Sequence, residues 1–397
     1  MDISKRAQEM PSSPIRKLAS LADAAKKKGI KVYHLNIGQP DIETPKEIFK
    51  AMCEFKNKVL EYGPSGGLVE LRLAIVDYFK DRNISIELDN VWITTGGSEA
   101  IIFAMMTVCD VYDEILVFEP FYTNYNGFAT MAQVKLVPIP TSVEEGFHLP
   151  SKNRIIECIT PRTKAILLCN PNNPTGTVYT EEELYILTQI AKKLNLYLLT
   201  DEVYREFTYD KRHHVSALEL YDIKDRVVVM DSISKRFSAC GARIGCLVTR
   251  NKKVFDAVLK LGQARLCPPT LEQVGAIAAY KNIDKYIKPM ITEYQHRRDV
   301  LYDKLKEIDG VFCNKPEGAF YTVVRLPVRD ADHFCAWLLT DFCYRKKTIM
   351  LAPANGFYTS LDKGQSEVRI AYVLKEKDLI DALDILKVAL EKYQEKY

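Results

Sequence analysis

The sequence predicts an α/β fold with a mostly parallel sheet, followed by a smaller α+β domain. The chain has 397 residues, and a single hydrophobic core rarely serves more than roughly 250–300 residues, so two domains are expected. Short apolar runs alternate with helical patterns from about residue 90 to 250. After about residue 285 this alternation stops, and helices and strand-like runs no longer follow one another regularly.

Seven apolar runs predict the strands of the large sheet. Their polarity is continuous rather than alternating, which is expected of strands that are covered on both faces. They occupy residues 91–95, 115–118, 134–139, 165–169, 196–200, 227–230 and 243–249.

Helical periodicity separates these runs. Residues 181–194 carry apolar side chains on one face, and Thr180 with Glu183 forms a capping box at the start. Residues 68–79 form a second amphipathic helix. Strand–helix alternation of this kind favours a sheet that is mostly parallel and flanked by helices.

The last third of the chain predicts a different unit. A helix around residues 296–308 precedes two strand-like runs, at 318–326 and 367–374, and a terminal helix begins at Glu376. We therefore expect three parts: an N-terminal segment that packs with the small domain, a large domain and a small C-terminal domain. Their predicted ranges are 1–45, 46–285 and 286–397.

Composition excludes several classes of protein. The 55 basic and 52 acidic residues give a net charge of +3, which provides no electrostatic footprint for nucleic acid. No apolar run approaches the roughly 20 residues that span a bilayer, and the first ten residues lack the apolar stretch of a secretory signal. Scattered cysteines and histidines show no metal-ligand spacing, so no metal is expected. A cytoplasmic protein without a membrane or nucleic-acid partner follows from these features.

Two segments carry features of an anion site. Residues 94–99 read Thr-Thr-Gly-Gly-Ser-Glu between a strand and an apolar helix, where backbone amides at the helix N-terminus could bind a phosphate. The alternative is an ordinary tight turn. Ser232 and Arg243 lie on either side of Lys235 and could add further phosphate contacts. Lys235 follows a buried run and is a candidate Schiff-base lysine, although a surface lysine is the alternative.

Three more segments end or occupy predicted strands. Residues 170–176 form a loop rich in asparagine and proline, which is either a ligand loop or a rigid turn. Asp201 ends a buried strand and could hold a cationic ring nitrogen or cap a helix. Arg369 lies in an apolar strand, where its guanidinium requires a carboxylate from a substrate or from the protein.

The order and spacing of these five segments resemble the class I and II aminotransferases, which are fold-type-I pyridoxal-phosphate enzymes. The resemblance covers essentially the whole chain, from residues 36–41 to residues 368–371. It implies the cofactor pyridoxal 5'-phosphate, bound in the large domain. It also implies a homodimer with shared active sites, and an amino acid and a 2-oxo acid as substrates in amino acid metabolism.

The resemblance also implies a role for each matching residue. Lys235 would hold the cofactor as a Schiff base and then carry the proton, while Asp201 would keep the ring nitrogen protonated. Asn173 and Tyr204 would hydrogen-bond the ring hydroxyl. Tyr122 stands where many members have a tryptophan over the cofactor ring, with core packing as the alternative.

The remaining implied contacts concern the phosphate and the substrate. The amides of Gly97, Ser98 and Glu99 would bind the phosphate beside Ser232 and Arg243. Tyr62 resembles the tyrosine that family dimers send into the neighbouring subunit's phosphate site. Arg369 would bind the substrate α-carboxylate with help from the Gly38 amide and Asn173.

Two other functions compete with transamination. A carbon–sulfur β-lyase or a related eliminase of the same fold would share every catalytic residue named above. A regulator that uses this fold as a ligand sensor would carry an N-terminal DNA-binding domain, for which the early position of residues 36–38 leaves no room. Transamination by ping-pong chemistry is the favoured interpretation.

The sequence determines the substrate less well than the reaction. Ser98 stands where some aspartate aminotransferases use a lysine to read the distal carboxylate, whereas residues 262–269 resemble a stretch of alanine aminotransferases. Arg265 lies at about the place where other members of the family project a cationic side chain toward the partner's active site, so the resemblance implies that Arg265 reads that carboxylate. A surface or interface salt bridge is the alternative, and Arg16 is a second candidate reader. We expect 2-oxoglutarate and glutamate as one substrate pair, with aspartate or alanine, and then aromatic amino acids, as the other.

Overall fold

The computed structural model describes residues 1–397 and contains twelve strands in three sheets. In chain order the strands are β1 (Lys31–His34), β2 (Val91–Thr94), β3 (Glu114–Glu119), β4 (Lys135–Pro140), β5 (Thr163–Cys169), β6 (Tyr197–Asp201), β7 (Val227–Ser232), β8 (Gly245–Val248), β9 (Tyr321–Arg325), β10 (Lys347–Met350), β11 (Ala352–Pro353) and β12 (Glu367–Ala371). Strands β2 to β8 confirm all seven predicted runs, and no end differs from its prediction by more than two residues.

Fourteen α-helices accompany the strands. They are α1 (Lys5–Gln8), α2 (Ala19–Lys27), α3 (Lys46–Cys53), α4 (Val69–Lys80), α5 (Gly96–Val108), α6 (Asn124–Ala132), α7 (Lys152–Glu157), α8 (Glu181–Leu194), α9 (Ile233–Arg236), α10 (Lys252–Arg265), α11 (Thr270–Tyr280), α12 (Ile283–Lys306), α13 (Ala331–Thr340) and α14 (Glu376–Lys396). None of them combines the length and the apolar character that a membrane crossing requires.

The large sheet has the strand order β2-β8-β7-β6-β5-β3-β4. Strand β8 is antiparallel to both of its neighbours, and every other pair is parallel. The sheet is therefore mostly parallel, as predicted. This topology brings the C-terminal ends of β2, β3, β5, β6 and β7 to one edge, where α/β sheets usually bind their ligands.

Helices cover both faces of this sheet. Within β5, Ile166 and Leu168 pack into one apolar core, while Ala165 and Leu167 pack into another on the opposite face. This division explains the continuous apolar runs in the sequence, because successive side chains of a strand point to opposite faces.

The predicted start of helix α8 is confirmed, whereas helix α12 starts earlier than predicted. The Thr180 hydroxyl accepts a hydrogen bond from the Glu183 amide at 3.2 Å, and the Glu183 carboxylate accepts one from the Thr180 amide, so the predicted capping box is present at the start of α8. Helix α12 starts at Ile283 and contains Pro289, so it is longer than the predicted helix around residues 296–308.

The remaining strands form two small sheets. Strands β11, β12 and β9 are antiparallel, whereas β1 pairs in parallel with β10. Leu18 and Ala22 of the N-terminal segment pack into the same apolar core as Phe334 and Leu386. The exact ranges of the three predicted parts stay predictions, and α12 runs across the predicted boundary at residue 285.

Candidate active site

A cavity of about 670 Å³ lies at the edge of the large sheet where the parallel strands end. Most of the residues that the sequence singled out line this cavity together. They are Gly38, Gly97, Ser98, Tyr122, Asn173, Asp201, Tyr204, Ser232, Lys235, Arg243 and Arg369. Three predicted residues, Tyr62, Glu99 and Arg265, are not among its lining residues.

Lys235 sits in the short helix α9, directly after β7. The Ser232 hydroxyl caps this helix by accepting a hydrogen bond from the Ser234 amide at 3.1 Å. The Lys235 Nζ donates to the Gly38 carbonyl at 2.9 Å and lies 3.8 Å from the Cys240 Sγ. No carboxylate pairs with this amine, so the partly buried lysine remains available to a group in the cavity.

The residue after Lys235 anchors its loop. Arg236 is fully buried, donates to Asp231 at 2.7 Å and donates to the Tyr280 hydroxyl at 3.0 Å. Asp231 Oδ1 also accepts the Ser232 amide at 2.7 Å. Breaking a buried ion pair leaves an uncompensated charge, so this pair holds the turn firmly. Sequence reasoning did not identify Arg236, because its burial and its contacts with Glu206 and Tyr280 depend on other segments of the chain.

Asp201 ends β6 as a buried carboxylate. Its Oδ2 accepts a hydrogen bond from the Tyr125 hydroxyl at 2.8 Å, and its Oδ1 accepts a longer one from the Val203 amide at 3.4 Å. Burial raises the pKa of Asp201 from 3.8 to about 6, although the Tyr125 hydrogen bond opposes this shift. No basic side chain pairs with Asp201, so the site suits a cationic group inside the cavity.

The pKa of Asp201 leads to a prediction for the cofactor-free protein. Above about pH 6 the variant Asp201→Asn should be more stable than the wild type, and below about pH 4 this difference should vanish. Between these two pH values Asp201 ionises in the unfolded wild type but stays protonated in the folded protein. The free energy of unfolding of the wild type therefore falls as pH rises. The full difference is roughly 3 kcal/mol, because one pKa unit corresponds to about 1.36 kcal/mol. Urea unfolding across this pH range measures it; a pH-independent difference would contradict the prediction.

The anion end of the cavity is formed by the turn before α5. The first amides of this helix have no acceptor within the helix, which suits a phosphate. Gly96 has a φ of +75°, and a Cβ there would lie 2.4 Å from the Arg243 Nη2. A Cβ on Gly245 would lie 2.5 Å from the Gly96 carbonyl carbon. The glycines thus allow Arg243 and the helix N-terminus to approach each other closely.

Arg265 is held outside the cavity by Glu99. The Arg265 Nε donates to the Glu99 carboxylate at 3.1 Å, and its Nη atoms donate to the carbonyls of Ser65, Ile93 and Leu266. The other Glu99 carboxylate oxygen accepts the Thr95 amide at 2.8 Å. The structure of the single chain therefore gives no support to the prediction that Arg265 reads a distal carboxylate; it shows an intrachain salt bridge instead.

Arg369 lies in β12 with 1% of its surface exposed. Its guanidinium donates to the Asn173 side-chain oxygen at 3.0 Å and to the Asn36 carbonyl, and its Nε has no partner. Burial lowers the pKa of Arg369, yet an arginine stays charged in proteins. No protein carboxylate pairs with it, so the structural ion pair considered as the alternative is absent.

Tyr321 is a lining residue that the sequence did not reveal. Its hydroxyl lies 3.0 Å from the Tyr204 hydroxyl and donates to the Gly38 carbonyl at 3.4 Å. A Cβ on Gly38 would lie 1.7 Å from the Tyr321 oxygen, so only glycine fits there. Tyr321 lies in a strand predicted from its apolar character, and a single sequence does not distinguish it from a packing residue.

Two further tyrosines occupy different environments. The Tyr122 hydroxyl accepts a hydrogen bond from Asn124 at 2.7 Å, and burial raises the pKa of Tyr122 to about 12. Tyr62, in contrast, is 81% exposed and lies beside the exposed apolar residues Val59 and Leu60. Its predicted contact with a neighbouring subunit stays a prediction.

Both the sequence and the fold are similar to those of known aminotransferases. The profile of the family described as Aminotransferase class I and II matches residues 30–386. The aspartate aminotransferase of Bacillus subtilis is 32% identical over 99% of this chain and 100% of its own length. Two solved structures each match 98% of this chain and 100% of their own: an alanine aminotransferase from Pyrococcus furiosus, 32% identical with a TM-score of 0.90, and an aspartate aminotransferase from Thermotoga maritima, 31% identical with a TM-score of 0.89.

Proposed function

The chain belongs to the class I and II aminotransferases and is a pyridoxal-phosphate-dependent transaminase, and on this premise we propose how its residues hold the cofactor and the substrates. One observation carries the proposal. Lys235, Asp201 and Arg369 are charged side chains in one cavity, and none has an oppositely charged partner in the chain. Because unpaired charges in a partly dry cavity are costly, all three require partners from bound molecules.

The three charges fit the cofactor and the substrate. Pyridoxal phosphate supplies an aldehyde that condenses with amines and a protonated ring that draws electrons from the substrate Cα. Asp201 would hold a proton on the ring nitrogen of the cofactor, and the Tyr125 hydroxyl orients the Asp201 carboxylate for this role. Lys235 would hold the cofactor through its amine, and that amine, when free, would move the proton at the substrate Cα.

The remaining lining residues position the cofactor. Asn173 and Tyr204 would hydrogen-bond the ring hydroxyl, and Tyr122 would cover the ring. The N-terminus of α5 and its neighbours would hold the phosphate. Its ligands would be the amides of Gly97, Ser98 and Glu99, and the side chains of Ser232 and Arg243. The Glu99–Arg265 ion pair supports this turn from outside the cavity.

Arg369 binds the α-carboxylate that every amino-acid substrate shares, together with Asn173 and the Gly38 amide. The variant Arg369→Leu should therefore lower kcat/KM roughly 10²- to 10³-fold for all amino acids alike, since it removes a charge-assisted pair in a buried position. Steady-state kinetics with several donors measures this. Arg325→Leu is the control, because Arg325 lies in the same small sheet but pairs with Glu144 at the surface. Loss confined to one donor would place Arg369 in a side-chain pocket instead.

We further propose 2-oxoglutarate and glutamate as one substrate pair, with aspartate or alanine as the other donor. Relatives named aspartate aminotransferase and alanine aminotransferase support this choice. A panel of amino donors tested against 2-oxoglutarate and pyruvate decides between them. Release of ammonia and a 2-oxo acid from a cysteine conjugate, with no 2-oxo acid acceptor present, would indicate a β-lyase instead.

A homodimer in the cytoplasm completes the proposal. The exposed Tyr62 and its apolar neighbours form a surface that a second subunit could cover, so that Tyr62 reaches the partner's phosphate site. Light scattering on the purified protein measures the oligomeric state.

In a dimer, Tyr62→Ala should lower the affinity of the protein for pyridoxal phosphate. A fully active monomer would contradict the proposal that Tyr62 contacts the phosphate site of a partner subunit.

A further inference from the structure

Tyr321 connects the small antiparallel sheet to the large sheet in the lining of the cavity. It begins β9 and is 2% exposed. Its hydroxyl lies 3.0 Å from the hydroxyl of Tyr204, which follows β6, and the two rings meet edge to face with their centroids 5.6 Å apart. The guanidinium carbon of Arg369 lies 4.5 Å from the centroid of the Tyr321 ring. The proposed function gives roles to Tyr204 and Arg369 but none to Tyr321, which contacts both.

The Tyr321 hydroxyl has two possible acceptors. The Gly38 carbonyl lies 3.4 Å away, whereas the Tyr204 oxygen lies 3.0 Å away. A hydrogen bond between two oxygens is weak at the longer distance, so donation to Tyr204 is favoured. Burial raises the pKa of Tyr204 above its usual range, so the Tyr204 phenol keeps a proton of its own.

The proton of Tyr204 then has no acceptor within the chain. The Tyr204 hydroxyl has one hydrogen-bond partner, which is Tyr321. A tyrosine hydroxyl donates one hydrogen bond, so a Tyr204 oxygen that accepts from Tyr321 directs its own proton elsewhere. Tyr204 lines the cavity, where the proposed function places the ring hydroxyl of the cofactor. Because hydrogen bonds in a chain polarise one another, donation from Tyr321 strengthens the bond that Tyr204 donates.

We propose that Tyr321 is a positioning residue that acts through Tyr204, because it fixes the Tyr204 hydroxyl as the donor to the ring oxygen of the cofactor. This inference rests on the proposed function. In pyridoxal phosphate that oxygen is adjacent to the carbon that Lys235 would bind. A hydrogen bond from Tyr204 spreads the negative charge of the oxygen, which then attracts a proton on the Lys235 nitrogen less strongly. Tyr321 thereby lowers the pH at which the Lys235 nitrogen loses this proton.

The visible absorption band of the lysine-bound cofactor reports this proton, because its wavelength depends on the protonation of the Lys235 nitrogen. In Tyr321→Phe the pH midpoint of the change should rise by roughly half a unit to one unit, the size expected when one hydrogen bond is weakened. The variant keeps the ring beside Arg369, so the fold and the KM for the amino acid should be retained.

Tyr372→Phe is the matched control, and its midpoint should equal that of the wild type. Tyr372 is a fully buried tyrosine whose hydroxyl donates to the Ala319 carbonyl at 3.2 Å, and it does not line the cavity. Both variants therefore remove one buried hydroxyl, but only Tyr321→Phe removes a donor to Tyr204.

A double variant shows whether Tyr321 acts through Tyr204. In the Tyr204→Phe background, Tyr321→Phe should cause little or none of the shift that it causes in the wild type, since residues that act as a unit are not additive. An unchanged or lowered midpoint in Tyr321→Phe, an equal shift in Tyr372→Phe, or a full shift in the Tyr204→Phe background would each overturn the role of Tyr321. A wild type that forms no visible band with pyridoxal phosphate would instead overturn the proposed function.

Discussion

Replacing Lys235 with alanine is expected to leave a folded protein that has lost roughly 10⁴-fold or more of its transaminase turnover. The variant removes both the covalent attachment of the cofactor and the group that moves the Cα proton, and acid–base catalysis alone contributes up to about 10⁴-fold. The fold should survive, because the Lys235 amine forms no ion pair and its hydrogen-bond partners are the Gly38 carbonyl and the Cys240 thiol alone. Steady-state turnover and circular dichroism measure the two expectations.

Covalent attachment is tested separately from activity. Borohydride reduction of the wild-type holoenzyme, followed by peptide mapping, should find the cofactor on Lys235, and the variant should lack the visible absorption band of the lysine-bound cofactor. Lys252→Ala is the control, since Lys252 is an exposed lysine that pairs with Asp256. A label that maps to another lysine, or a variant that keeps the band, would contradict the central assignment.

The second large effect is expected at Asp201. Asp201→Ala should retain bound cofactor but lose roughly a hundredfold or more of kcat, because removing one preorganised electrostatic group from an active site typically has an effect of this size. Without the carboxylate, nothing in the cavity lining holds the proton on the ring nitrogen, since the other charged lining residues are cations. Single-turnover kinetics with a fixed donor measures the loss directly.

Asp201→Asn separates the charge from the hydrogen bonds. An asparagine oxygen can still accept from Tyr125 and from the Val203 amide, so this variant removes the charge alone. Its loss of kcat should therefore approach that of Asp201→Ala. A loss below about tenfold in both variants, or roughly 1.4 kcal/mol, would reduce Asp201 to a structural role at the end of β6.

The prediction from sequence succeeded where the determining forces are local. Seven strands and helix α8 were placed to within two residues, because continuous apolar runs and a capping box depend on neighbours in the chain. Lys235, Asp201 and Arg369 were found as unusual residue types at strand ends or inside an apolar strand. The structure places all three in the lining of one cavity. Asp201 and Lys235 lie at the edge where the parallel strands of the large sheet end, whereas Arg369 reaches the cavity from the small antiparallel sheet.

Contacts between distant segments were decided only by the tertiary structure. The antiparallel placement of β8 and the pairing of β1 with β10 depend on strand neighbours that local periodicity does not specify. The same holds for the Tyr125 hydroxyl on Asp201.

The sequence by itself determined the family and named the candidate site residues, because both depend on residue types at fixed spacing. It did not determine which arginines find a carboxylate partner within the chain. Arg265 and Arg16 are both plausible cations in the sequence, but the fold supplies Arg265 with Glu99 and leaves Arg16 on the cavity without a partner. The charge of a side chain follows from its residue type, whereas its electrostatic partners depend on how segments far apart in the chain pack together.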